Sequence, residues 1–149
     1  MKIRKLLACT LAVFCIASSR SNVICASESI TESYINSDYV VYSTYLKDHT
    51  SELTISGTTA TCKSTATGIS SVTQIIGDMY LMKYTSSGWQ DIDAWRLQVS
   101  GRYYSNTKTK TGLSSGNYRL RTEFTVTTSS GATETVTKYS GVKVVSTTP

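Results

Sequence analysis

The chain has 149 residues, 15 of them Lys or Arg against 10 Asp or Glu, with 40% hydrophobic residues, one His and one Pro. Its formal charge of +5 is unevenly placed: four of the basic residues (Lys2, Arg4, Lys5, Arg20) lie in the first 26 positions, ahead of every acidic one. The other 123 positions hold eleven basic and ten acidic residues, a net +1 with no clustered basic face, which argues against nucleic-acid binding.

In chain order, residues 1–26 come first. A basic start, an apolar run from Leu6 to Ala17 and a small-residue end at Ala26 are the marks of a secretory signal peptide. The run is shorter than the roughly 20 residues a membrane span needs, so no transmembrane anchor is expected. Cleavage is expected after Ala26, with Ser19 as the alternative. No cysteine stands where lipidation would need it, because Cys25 follows Ile24, Cys15 follows Phe14, and Cys9 lies too early. Cleavage after Ala26 removes these three and leaves Cys62 as a buried apolar residue in a strand; cleavage after Ser19 would keep Cys25 as a possible partner for it. Residues 27–36 read as a flexible N-terminal segment, and 37–149 as one domain.

Within that domain Thr, Ser, Tyr and Val dominate and no helical period survives, so the fold class is all-β. "SDYVVYSTYL" (Ser37 to Leu46) reads as the first strand, and "KDHTSE" after it as a turn that leaves His49 exposed. "LTISGTTATCKS" (Leu53 to Ser64) reads as one continuous strand. "SVTQIIGDMYLMKY" (Ser71 to Tyr84) is the third, with Gly77 marking a bulge. "TSSG" (Thr85 to Gly88) makes a four-residue hairpin loop into "WQDIDAWRLQVS". "GRYYSN" places Tyr103 and Tyr104 in a loop before "NTKTKTGL". In "GNYRLRTEFTVTTSSG", Tyr118, Leu120, Thr122, Phe124 and Val126 share a face, and "ATETVTKYSGVKVV" closes the domain. About seven strands at regular spacing suggest an immunoglobulin- or fibronectin-III-like antiparallel β-sandwich, with Tyr118 as its corner tyrosine.

The series "YL…LTISGTTATC…YLMKYTSSGWQDIDAW…SGNYRLRTEF…SSGATETVTKYSGVKV", roughly Tyr45 to Val145, resembles a family of small secreted proteins of Gram-positive bacteria known only as a domain of unknown function. The resemblance implies an immunoglobulin-like sandwich and export. It carries no reaction, ligand or catalytic residue.

The residues themselves offer no catalytic constellation. A triad needs a base beside a nucleophile, and His49 lies in a polar stretch; no Gly-x-Ser-x-Gly elbow occurs. Asp91 and Asp93, with Asp78 approaching from the partner strand, are the sole carboxylate grouping that calcium or paired-acid chemistry would draw on, and solvated strand carboxylates are the ordinary reading. No catalytic residue, metal or cofactor is therefore expected.

The hairpin register is more informative. Pairing Tyr84 with Trp89 and stepping back gives Met82 with Asp91, Leu81 with Ile92, Tyr80 with Asp93 and Met79 with Ala94. Unpaired aspartates do not enter an apolar core, so Leu81, Ile92, Met79 and Ala94 are expected inside, and Tyr80, Met82, Tyr84, Trp89, Asp91 and Asp93 in solvent. Trp95, Leu97 and Val99 alternate inward after Ala94, which requires a bulge or a strand crossing between sheets near Asp93 to Trp95. The expected core thus includes Cys62, Leu81, Ile92, Trp95 and Tyr118; the expected binding surface is Tyr80, Tyr84, Trp89 and Asp91. The resulting expectation is a secreted, non-catalytic interaction module whose partner is an extracellular protein or glycan. A carbohydrate-binding module is the first alternative and a secreted toxin or bacteriocin-like protein the second; the sequence leaves oligomeric state open.

Overall fold

The computed structural model describes residues 43–146. The signal peptide, the segment 27–36 and most of the first expected strand lie outside the described residues. Eight strands and no helix occur among them: β1 (Leu46–Ser56), β2 (Thr59–Gly68), β3 (Val72–Thr85), β4 (Gly88–Ser100), β5 (Tyr103–Lys110), β6 (Gly116–Thr128), β7 (Thr133–Tyr139) and β8 (Lys143–Val145). They form two antiparallel sheets, β1-β2-β5 and β4-β3-β6-β7, with β8 continuing the β7 edge along the start of β6.

Two sequence expectations fail at the N-terminal hairpin. "KDHTSE" is strand, not turn, and "LTISGTTATCKS" is two strands folded at Gly57-Thr58, so that Ser56 pairs with Thr59 and Leu53 with Cys62. Gly57 supplies the positive φ (58°) that a two-residue hairpin turn needs at its first position. The buried positions change parity across this turn, from Ser51 and Leu53 to Ala60, Cys62, Ser64 and Ala66. The polar letters of "KDHTSE" are accommodated because their inward members have partners. Ser51 bonds across the sandwich, and His49 lies half-buried with its ring edge-on to Phe124 at 6.1 Å. Burial and the nearby Lys138 hold His49 below its ordinary value, and it is a half-buried strand residue rather than an exposed loop one.

β6 is the spine of the larger sheet. Tyr118, Leu120, Thr122, Phe124 and Val126 are all buried, in strict alternation with Arg119, Arg121, Glu123 and Thr125. The core they enter has two apolar parts. One gathers Leu53, Ala60, Cys62, Met79, Leu81, Leu113, Tyr118, Leu120 and Val145; the other gathers Leu46, Ala66, Val72, Ile75, Tyr104, Phe124, Val126 and Val136. Between them lie three buried hydroxyls. The Thr122 hydroxyl shares hydrogen bonds with those of Ser51 (3.0 Å) and Ser64 (2.6 Å), and the Ser51 hydroxyl also lies 3.4 Å from the Leu120 carbonyl. Each of the three buried hydroxyls thereby has a partner, as burial demands.

Gly77 marks a close approach rather than a bulge. It lies on the inner side of β3, where the Tyr104 ring packs edge-on to Phe124 at 5.6 Å and its hydroxyl donates to the Gly77 carbonyl at 3.4 Å. A Cβ at position 77 would overlap that ring. Tyr103 and Tyr104 are accordingly strand residues of β5, the first exposed and the second buried, and not a loop pair.

Cys62 is a free, buried thiol, pushed up to about 12 by burial and then by Asp93, so it is unreactive at neutral pH. The last expected segment is a broken edge. β7 and β8 are separated at Ser140 to Val142, where Ser140 bonds both backbone groups of Leu120 (2.8 Å each) and so fills the gap in the ladder.

The chain entering β1 is clamped by Glu134 of β7. Its carboxylate accepts hydrogen bonds from the Ser43 hydroxyl (2.7 Å) and from the Thr44 and Tyr45 N–H groups (3.0 Å each). Burial acts to raise this carboxyl, but the three hydrogen bonds together, helped by His49, outweigh it and hold the group below its ordinary value.

A depressed folded-state pKa contributes stability above the unfolded glutamate value, about 4.3, that is lost as pH falls through the folded value. Urea denaturation from pH 3 to 7 should therefore show wild type more stable than Glu134→Gln by a constant margin near neutrality, shrinking below about pH 4.3; a margin independent of pH would contradict the clamp. Gly77→Ala should cost about 1–3 kcal/mol of stability through overpacking, and far less in a Tyr104→Ala background. Equal costs in both backgrounds would show that the ring is not what position 77 makes room for.

Candidate functional site

The outer face of the five-stranded sheet is built by the β3–β4 hairpin and by the outward row of β6. The hairpin expectation holds at its tip: Thr85 pairs with Gly88, Tyr84 with Trp89, Lys83 with Gln90 and Met82 with Asp91. The turn itself is two residues, Ser86-Ser87, rather than four, with Gly88 at φ 89° completing it. Beyond Met82 the expected register fails. Leu81 pairs with Asp93, Tyr80 with Ala94 and Met79 with Trp95, so β4 carries one extra residue, Ile92.

This bulge lies upstream of the place the sequence suggested, and it corrects two core assignments. Ile92 is 38% exposed and Ala94 is exposed, because the extra residue is spent at 92 and parity has already changed by Asp93. Trp95, Leu97 and Val99 do turn inward, though as half-buried residues at the core's margin, with Trp95 packed against the cluster that holds Met79 and Leu81. Leu81, Cys62 and Tyr118 lie within that same cluster. Met82, expected in solvent, is 6% exposed. It sits between Asp91 and Arg119 in register, beneath a layer of stacked side chains.

That layer involves residues the sequence reading did not single out. The Arg119 guanidinium lies 4.3 Å from the ring centre of Trp89 on β4 and 4.4 Å from that of Tyr139 on β7. Trp89 also meets Tyr84 edge-on at 5.3 Å. One step along, Arg121 lies 4.3 Å over Tyr80 and bonds Asp91 at 3.2 Å. All four expected surface residues, Tyr80, Tyr84, Trp89 and Asp91, are thus brought together, and β6 threads its two arginines among them. The signal was present in "YRLR": the inward run Tyr118, Leu120, Thr122 forces Arg119 and Arg121 outward, into register with Met82 and Tyr80.

The carboxylates do not converge. Asp78 pairs with Arg96 (3.2 Å), Asp91 with Arg121 (3.2 Å) and Asp93 with Lys110 (2.9 Å). The bulge turns Asp93 toward the gap between the sheets, where Lys110 of β5 meets it, while Asp91 stays on the outer face. Among the described residues no three His, Cys, Asp or Glu side chains gather into a metal-binding group. The calcium and paired-acid arrangements both need the two aspartates on one face, and the bulge separates them.

The exposed large apolar residues crowd toward one end of this face. Tyr84 (44% exposed) packs on Trp89, Tyr139 (45%) packs on Arg119, and Val142 (43%) and Val144 (64%) follow Tyr139 along the edge beside β6. Val144 pairs with Asn117, the next outward residue of β6, and so extends the row of Arg119 and Arg121. No protein-family model and no curated protein matches this chain. Among the described residues no helix is long and apolar enough to cross a membrane.

Burial separates the two tryptophans in cost. Trp95→Ala should fall near the lower end of the about 3–5 kcal/mol that truncating a fully buried aromatic costs. Trp89→Ala, which loses one cation–π contact and one aromatic pair, should cost about 1–2 kcal/mol. Chemical denaturation of the two variants checks this, and a larger loss at Trp89 would reverse the assignment of faces.

Proposed function

We propose that this chain is an exported, non-catalytic module of the immunoglobulin or fibronectin-III type, acting through the outer face of its five-stranded sheet on an extracellular protein. Two features support the fold identity. The order β1-β2-β5 against β4-β3-β6-β7 follows the arrangement of strands A, B and E against C′, C, F and G in that class. The Tyr118 hydroxyl donates to the Ser114 carbonyl at 2.7 Å, four residues upstream near the start of the penultimate long strand, as a corner tyrosine does. The resemblance of Tyr45 to Val145 to small secreted proteins of Gram-positive bacteria agrees with export.

The observation that carries the functional reading is Arg119 packed on Trp89 and Tyr139, with Tyr84, Tyr139, Val142 and Val144 exposed on the strands and edge nearby. Tyr, Trp and Arg are the residues most enriched at binding hot spots, and an apolar patch rimmed by polar strand residues marks an interaction surface. Tyr84 and Tyr139 also leave ring surface exposed, which favours a carbohydrate-binding module as the second reading.

A photocrosslinking side chain placed at Val144 of the exported protein, and as a control at Thr61 on the opposite sheet, tests the reading. A specific protein adduct at 144 and none at 61 is the expected result. Adducts at both positions or neither would remove the face from consideration. Retention on insoluble polysaccharide, abolished by Tyr84→Ala, would replace the protein partner with a glycan.

A further inference from the structure

Among the described residues, the outer face holds one arginine that forms no ion pair. Arg121 meets Asp91 at 3.2 Å and Glu123 at 3.6 Å, Arg96 meets Asp78, and Lys110 meets Asp93. Arg119 takes part in none of the ion pairs among the described residues. No acidic residue lies between Tyr139 and Ser146, the stretch that borders it on the β7–β8 side.

The stack decides how that charge can be used. The guanidinium carbon lies over the Trp89 ring at 4.3 Å and over the Tyr139 ring at 4.4 Å, and its Nε is buried with no hydrogen-bond partner. A guanidinium packed against two rings with its Nε buried offers hydrogen bonds through its terminal nitrogens. Two parallel N–H groups in one plane form the fork that matches a carboxylate, and stacking holds the fork so that little side-chain entropy is lost on binding.

Resting on the interaction-module reading, we infer that Arg119 is a carboxylate anchor, and that the surface receives a protein segment in which an Asp or Glu stands beside an apolar side chain. The surroundings favour polypeptide over sugar. Val142 and Val144 offer aliphatic surface beside the fork, which an apolar side chain gains from covering and a sugar hydroxyl does not. One face of Trp89, the ring that would best platform a sugar, is already taken by the guanidinium. The charge complements an acidic segment, and among the described residues it forms no ion pair with an acidic side chain.

Biolayer interferometry with four defined probes tests the anchor: a random glutamate–tyrosine copolymer, polyglutamate, sodium alginate as a polyuronate, and neutral dextran. The copolymer should bind tightest, and Arg119→Lys, which keeps the charge but loses the fork, should weaken it about tenfold. Arg96→Gln, a charge change on the same sheet away from the patch, should alter it about twofold or less. Thermal denaturation shows whether Arg119→Lys is folded. If it is not, Val144→Asp, at an exposed position, sets a competing carboxylate beside the fork and should weaken binding comparably.

Equal binding by wild type and a folded Arg119→Lys would overturn the fork. Alginate binding as tightly as the copolymer, with the same loss on substitution, would overturn the polypeptide assignment. If no anionic probe binds in an Arg119-dependent way, the anchor is wrong. The crosslink at Val144 would then still stand or fall separately as the test of the module reading.

Discussion

The Thr122 hydroxyl, 2.6 Å from Ser64 and 3.0 Å from Ser51, is the contact on which the arrangement of the larger sheet turns. A buried hydroxyl displaced from its partner loses a hydrogen bond and regains none. The Ser64–Thr122–Ser51 chain therefore pins β6 against β1 and β2 at the junction of the two apolar clusters. With Thr122 inward, the alternation of β6 leaves Arg119, Arg121 and Glu123 outward with no further choice. The chemistry of the outer face is thus set by a polar contact buried on the other side of the same strand.

Much of this was legible in the sequence, and the misses share a cause. The inward row of β6 is an uninterrupted period-two pattern, so both its face and its strand were readable. At Gly57 and Ile92 the pattern changes parity, and parity depends on whether the local geometry is a turn, a bulge or continuous strand. "LTISGTTATCKS" kept a period of two in its letters while its buried set moved from odd to even positions. "KDHTSE" looks like a turn for a different reason: its inward residues are polar and have their partners far away in sequence, Thr122 for Ser51 and Phe124 for His49. Gly77 reads as a bulge from sequence because its real justification, the Tyr104 ring, comes 27 residues later.

The aromatic surface was legible as a set but not as a mechanism. Tyr80, Tyr84, Trp89 and Asp91 can be collected from the hairpin alone. That two of these rings and Tyr139 flank guanidiniums follows only from pairing β3 with both β4 and β6 and β6 with β7. This changes what the rings do. A ring free on both faces is a platform, while a ring that an arginine packs over has one face already occupied and adds charge to the surface. The same reasoning assigns the aspartates: each sits beside its own cation, which lowers the electrostatic cost of the face and spends its acidity locally.

The extra residue at Ile92 has a consequence for how this hairpin can vary. It sends Asp91 outward to Arg121 and Asp93 inward to Lys110, so two identical side chains, two positions apart, serve one surface and one seam. Changing a letter here alters one contact. Removing a single residue would put the following positions on the opposite side of the sheet, carrying Asp93 out and Trp95 with it, and would open the seam between β4 and β5. Between Trp89 and Trp95 the segment is open to substitution but closed to a change of length, so descendants of this chain would be expected to differ there in composition and agree in spacing.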